Sequence, residues 1–273
     1  MPDQNLPEPS SGTRSSPKPI SSGSSVHVAT TPKLSHTAHV VLQGKGGVGK
    51  SYIASLIAQY LRDQDRLDSC FDTDPVNGSF QSVGSLQVKP VALLEDDAIH
   101  VKGIDHLIEA IIGAKKDVVV DNGAASFLPL SRYLIDNDIP AFLKGHGVKM
   151  MVHSVITGGA NGLDTLAGLE PLISHFTPAA QLVIWVNEFL GPVRFSGVDF
   201  EETPVFEQHR HKIHGLVYLR KLDPVMFAPN LADMLNRKMT FAEAATSDQF
   251  VLMEKSRLFR IKTAIWSQLA EIV

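Results

Sequence analysis

Gly44-Lys45-Gly46-Gly47-Val48-Gly49-Lys50-Ser51 sets glycines, a lysine and a hydroxyl at the spacing G-x-x-x-x-G-K-[ST]. This spacing suits phosphate chemistry. The glycines Gly44, Gly46, Gly47 and Gly49, with Val48, let the chain turn tightly and present bare N–H groups to an anion. A helix starting at the end of the loop would add its positive dipole end. Lys50 would then reach β- and γ-phosphates, and the Ser51 hydroxyl would ligate Mg²⁺. Two further places carry carboxylates at the ends of apolar runs: Asp72-Thr73-Asp74-Pro75 and Lys116-Asp117-Val118-Val119-Val120-Asp121. Carboxylates at strand C-termini lie where open α/β sheets bind ligands. Asp121 after three valines fits a Mg²⁺-binding aspartate at the end of a buried strand. Asp72 and Asp74 could serve the same ligand or simply cap a turn.

The surrounding chain must hold these groups together. His39-Val40-Val41-Leu42-Gln43 reads as a strand entering the glycine loop, and Tyr52 to Leu61 has helical spacing after it. Further strands are expected at Leu67 to Asp72, Val118 to Asp121, Val148 to Val155, Gln181 to Asn187 and His214 to Leu219. Helices are expected at 104–112, 127–135, 163–176, 230–238, 241–245 and 254–269, with an extended, partly apolar stretch at 85–95. Alternating strands and helices imply an α/β fold with a mostly parallel sheet flanked by helices on both faces.

Lys45, directly after the first glycine, is not needed by an ordinary phosphate loop. With it, Lys45-Gly46-Gly47-Val48-Gly49-Lys50-Ser51 resembles the deviant Walker A ATPases of the ParA/MinD class, which are P-loop NTPases. The resemblance spans 39–273 and extends to Asp72-Thr73-Asp74-Pro75 and Asp121. Val41-Leu42-Gln43-Gly44-Lys45, Asp121 to Phe127 and Ile184-Trp185-Val186-Asn187-Glu188 narrow it to the TraL/StbB-like nucleotide-binding proteins of plasmid conjugation and stability systems. It implies an ATP- and Mg²⁺-dependent switch that closes as a homodimer around two nucleotides, with a protein partner whose identity the residues do not give, in a bacterial cytoplasm. It assigns Lys45 to the partner's nucleotide, Asp74 to the attacking water, Asp72 to the neighbourhood of the Mg²⁺ shell, Asp121 to Mg²⁺ and Asn187 to the adenine edge. Where the class often continues with Thr-Pro-Pro after the aspartate, this chain has Asn122-Gly123-Ala124-Ala125-Ser126, so its response to the γ-phosphate is expected to differ. A kinase built on the same loop is disfavoured: the chain has four tyrosines, none after Tyr218, whereas tyrosine kinases of this loop type carry a C-terminal cluster.

Composition sets outer limits. The chain has 273 residues and a net charge of −4, so it can bury one sizeable core but carries no global basic field for nucleic acid. Arg210, Lys212, Arg220, Lys221, Arg237 and Lys238 could form a non-specific DNA surface or lie scattered. The single cysteine, Cys70, excludes an intramolecular disulfide and disfavours the iron–sulfur reductases, which need paired cysteines to hold a cluster. Residues 1–36, rich in Pro, Ser, Gly and Thr, offer little to pack and are expected to form a disordered tail without the apolar core of an export signal, leaving 37–273 as the ATPase domain. His209-Arg210-His211-Lys212-Ile213-His214 lacks metal-ligand spacing, and His153 is expected to be a satisfied core or strand-end residue. The basic residues of the last helix cluster near its start, which favours docking on the core over lying in a membrane interface.

Overall fold

The computed structural model describes residues 34–74, 78–95, 98–176 and 179–273. Most of the expected tail, together with Pro75, Val76 and Asn77, lies outside the described residues. The elements in order are β1 (His36–Val41), α1 (Lys50–Asp63), β2 (Leu67–Asp72), β3 (Lys89–Pro90), β4 (Leu94–Glu95), β5 (Ala98–Ile99), α2 (Val101–Gly113), β6 (Asp117–Asp121), α3 (Phe127–Asp136), α4 (Ile139–Gly145), β7 (Val148–Thr157), α5 (Gly162–Phe176), β8 (Gln181–Asn187), β9 (Arg194–Phe195), β10 (Val198–Asp199), α6 (Pro204–His209), β11 (Ile213–Leu219), α7 (Ala228–Asn236), α8 (Phe241–Thr246) and α9 (Leu252–Ile272).

Seven strands form one sheet in the order β11-β8-β7-β1-β6-β2-β3. Every pairing in it is parallel. Parallel strands need covering on both faces, and the side chains alternate accordingly. Ala38, Val40, Val118, Val120, Val152 and Ile184 point to the face covered by α2 to α5. Val41, Val119, Met151, Val155, Val183 and Trp185 point to the face covered by α1 and α7 to α9. Ile53, Ile57 and Leu61 of α1 and Leu258, Ile261, Ile265 and Leu269 of α9 fill that second layer. The last helix is thus docked on the core, where Lys262 and Trp266 both reach Asp63 at the end of α1. Among the described residues no helix is long and apolar enough to cross a membrane.

β1 begins at His36, inside the stretch expected as tail. The reason is lateral pairing: His36 lies opposite Val148, its Nε2 is 2.8 Å from the Ile111 carbonyl, and the Thr37 amide donates to Asp117. The stretch at 85–95 holds only short bridges and a turn, and α4 and the β9–β10 hairpin were not anticipated.

A polar thread crosses the second layer. The Trp185 Nε1–H donates to His153 Nδ1 at 3.1 Å. His153 must therefore carry its proton on Nε2, which lies 3.0 Å from His39 Nδ1. His39 is left with an Nε2–H that is buried and has no partner. His153 is a core histidine, as its place in the sequence suggested.

Each edge of the sheet carries one local obstacle to a further strand. β3 ends in Pro90, which has no N–H to offer. At β11 the Gln268 side chain of α9 accepts from the Tyr218 amide at 2.7 Å and donates to the Tyr218 carbonyl at 3.1 Å.

Candidate functional site

The glycine loop joins the C-terminal end of β1 to α1. Gly49 has φ +101°, and a side chain there would stand 2.9 Å from Asn187 Nδ2, so both backbone conformation and space call for glycine. The turn lets α1 start at Lys50 with its first amides facing the loop. Lys50 is buried, and its ammonium donates to the Lys45 carbonyl at 2.8 Å. Burial lowers its pKa, while Asp121 and Asp74 oppose that.

Parallel pairing brings the other predicted groups to the same end of the sheet. Asp121 lies opposite both Val41 and Asp72. It is 2 % exposed, and its Oδ1 has no partner. Burial pushes its pKa up to about 7, aided by Asp72 and Asp74 and opposed by the Ser51 hydroxyl and Lys50. A buried carboxylate oxygen without a partner, beside a serine hydroxyl, fits a divalent cation. Among the described residues no three His, Cys, Asp or Glu side chains converge as a self-sufficient metal cage. Magnesium beside a nucleotide does not need one, because phosphate oxygens and water complete its shell.

Asp72 stands beside Asp121, close enough to help raise its pKa. Asp72 Oδ1 accepts from the Asp74 amide at 2.9 Å and its Oδ2 from the Gln81 amide at 3.1 Å, so it braces the loop after β2. Asp74 packs over Gly123, just past Asp121.

Lys45 points away from Lys50. Its Nζ lies 2.7 Å from Asp164 Oδ2 at the start of α5. Gln43, buried just before the loop, ties the same helix down: its Nε2 donates to the carbonyls of Val155 (2.9 Å) and Thr165 (3.2 Å). Neither partner of Lys45 or Gln43 was legible from spacing. Gln43 does stand directly beside the motif, and that adjacency was the available signal.

Asn187 closes the far side of the loop. Its Nδ2 donates to the Val48 carbonyl at 3.0 Å, and its Oδ1 accepts from the Phe189 amide at 3.1 Å. Beside it opens a mostly apolar cleft of about 310 Å³, lined by Gly47 to Gly49, Phe189, Tyr218, Leu222 and Ile265 among others. Arg220 sits at its rim, 4.1 Å from the Tyr218 ring centroid and 2.5 Å from Glu188. Of the basic residues considered for DNA, Arg220 is thus paired with Glu188, and Arg237 is paired with Asp233.

No family model matches the chain. Two Escherichia coli proteins, each named Protein TraL, are 38% identical to it over 231 residues, 85% of this chain and 96% of each relative. Among solved structures, the chain is similar to the MinD cell division protein of Aquifex aeolicus (TM-score 0.46, 14% identity, 84% of this chain and 95% of that one). It is also similar to a putative plasmid partition protein of Borrelia burgdorferi bound to AMPPNP (TM-score 0.41, 12% identity, 82% and 97%).

Proposed function

The chain belongs to the TraL family, and from that premise we propose that it is a Mg²⁺-dependent switch that binds and hydrolyses ATP and serves plasmid transfer or maintenance. The observation that carries this reading is Asp121, a buried carboxylate with a partnerless oxygen, beside Ser51 and Lys50 at the mouth of the glycine loop.

Each role follows from position. The loop amides from Gly44 to Gly49 cradle the phosphates, and Lys50 exchanges the Lys45 carbonyl for β- and γ-phosphate oxygens. Ser51 and Asp121 would hold Mg²⁺, with Asp72 near its shell. Bound there, the ion would neutralise charge on the phosphate oxygens. Asp74 orients a water in line with the γ-phosphorus. The water oxygen bonds to phosphorus as the bond to the bridging oxygen breaks, giving ADP and dihydrogen phosphate, with both protons of the water kept on the phosphate. The base lies in the apolar cleft between Phe189 and Tyr218. Asn187 still has one N–H and one lone pair to meet an adenine edge.

Lys45 acts across a homodimer, exchanging Asp164 for the partner's nucleotide. The exchange is cheap because the Lys45–Asp164 pair is solvent-exposed. A further protein partner sets when the switch turns over.

The test is sedimentation of Asp74→Ala with Mg²⁺-ATP and with Mg²⁺-ADP, each with and without duplex DNA. A dimer with ATP only supports the switch, and co-sedimentation with DNA adds a nucleic-acid cargo. A monomer with both nucleotides overturns the dimer. Lys45→Ala is expected to bind ATP and fail to hydrolyse it; full turnover would remove Lys45 from the reaction. A nucleotide-dependent dimer without turnover in the unaltered protein would make it an ATP-binding scaffold.

A further inference from the structure

Behind the two carboxylates lies a small polar cluster that touches neither the glycine loop nor the apolar cleft. Thr73 sits between Asp72 and Asp74, Asn122 follows Asp121, and Ser126 precedes α3. Their exposures are 0 %, 1 % and 2 %. The Thr73 amide donates to the Asp121 carbonyl at 3.0 Å. The Thr73 hydroxyl proton is shared between that carbonyl (3.1 Å) and Asn122 Oδ1 (3.0 Å). The Ser126 hydroxyl lies 2.9 Å from the same Oδ1 and 3.2 Å from the Gly123 carbonyl, which also accepts from Asn122 Nδ2 at 2.9 Å. One amide side chain thus gathers both hydroxyls and its own turn.

The cluster joins the segment that carries Asp74 to the segment that carries Asp121. Contact across the join is tight: a Cβ at Gly123 would stand 2.9 Å from Asp74 Cβ and Cγ and 3.1 Å from its Cα. Any side chain at 123 must therefore push Asp74 off its seat. Apolar residues could fill the space behind the site with comparable stability, so hydrogen bonds placed here mainly specify geometry.

We propose that Thr73, Asn122 and Ser126, with Gly123 as the contact point, are positioning residues that hold Asp74 at a fixed place relative to Asp121, so that the two carboxylates move as one unit. The proposal rests on the reading of those two aspartates as the working groups of hydrolysis. It also accounts for Asn-Gly after the aspartate: the asparagine supplies the shared acceptor, and the glycine supplies the room.

The test uses the full chain with Thr73→Val, which removes the hydroxyl at nearly constant volume, Thr73→Ser, which keeps it, and Gly123→Ala. Thr73→Val and Gly123→Ala are expected to lower kcat about 10-fold or more, as displacement of a catalytic group does. ATP Kd should stay within about threefold, and Thr73→Ser should restore turnover to within about threefold, because the phosphate cradle is untouched. Amide hydrogen exchange on nucleotide-free protein gives a second measurement. Thr73→Val should speed exchange across 121–127 by on the order of 10-fold, with the amides of β8 unchanged. Wild-type turnover in Thr73→Val, or equal loss of kcat in Thr73→Ser, overturns the positioning role. Unmoved exchange across 121–127 in Thr73→Val overturns the coupling even if the unaltered protein hydrolyses nothing. Failure of the inference and failure of the hydrolysis reading are therefore separable.

Discussion

Two histidines far from any solvent should make this protein acid-sensitive. His153 is fully buried, and its pKa is lowered to about 3, chiefly by burial and further by His214. His39 is lowered too, by burial first and then by His153, Arg66 and Lys149. Both are neutral in the folded chain, and both take up a proton in the unfolded chain below about pH 6.5. Between the two pKa values the unfolded state binds more protons, so stability falls as pH falls through about 6.5 and downward. For His153 alone the loss from pH 7.5 to pH 5 is about 2 kcal/mol. His39 adds to it with the same sign. Asp121 works against them, because its raised pKa lets the folded state hold a proton that the unfolded state releases. The total curve is therefore a poor readout, and a difference is a good one. His153→Gln keeps an acceptor for Trp185 and a donor for His39 while removing the titration. Urea unfolding of both proteins, without nucleotide, should show the variant gaining about 2 kcal/mol on wild type between pH 7.5 and pH 5. Parallel curves across that range would refute the buried-neutral assignment.

Other substitutions test other parts. Asp121→Asn should gain about 2.5 kcal/mol on wild type as pH rises from 5 to 8, because the raised carboxylate pKa makes wild type less stable in that direction; the same variant should lose the Mg²⁺ dependence of ATP affinity, read by titration with and without the ion. Gln43→Leu leaves the Val155 and Thr165 carbonyls without this donor and should cost about 2 kcal/mol in urea unfolding. Asp164→Asn should change stability by less than about 0.5 kcal/mol, since the pair with Lys45 is exposed; it should also lower the ATP concentration needed for dimer formation by about threefold, read by sedimentation.

What could be read from sequence was what local rules constrain. The glycine loop was legible because a phosphate cradle tolerates few residue types at few spacings. Asp121 was legible because three valines before it mark a strand covered on both faces. β1 was placed three residues late, since His36 and Thr37 are polar and their burial depends on Ile111 and Asp117, which are far along the chain. α4 is a single short helix with Pro140 near its start, too brief to show periodicity. Lys45 was recognised as unusual, but its partner in a single chain, Asp164, is 119 positions away. The walls of the apolar cleft come from β8, β11, α1, α7 and α9. No window of sequence contains more than a part of that set.

One position on each edge of the sheet resists the addition of a further strand. A parallel sheet grows by adding a strand at either side, and each side carries one obstacle: a residue with no amide hydrogen at Pro90, and the amide of Gln268, which stands in for the backbone of an eighth strand at Tyr218. A strand arriving at either side would lose ladder hydrogen bonding at that position. Trimming α9 back past Gln268 would leave the Tyr218 amide and carbonyl open to an incoming strand.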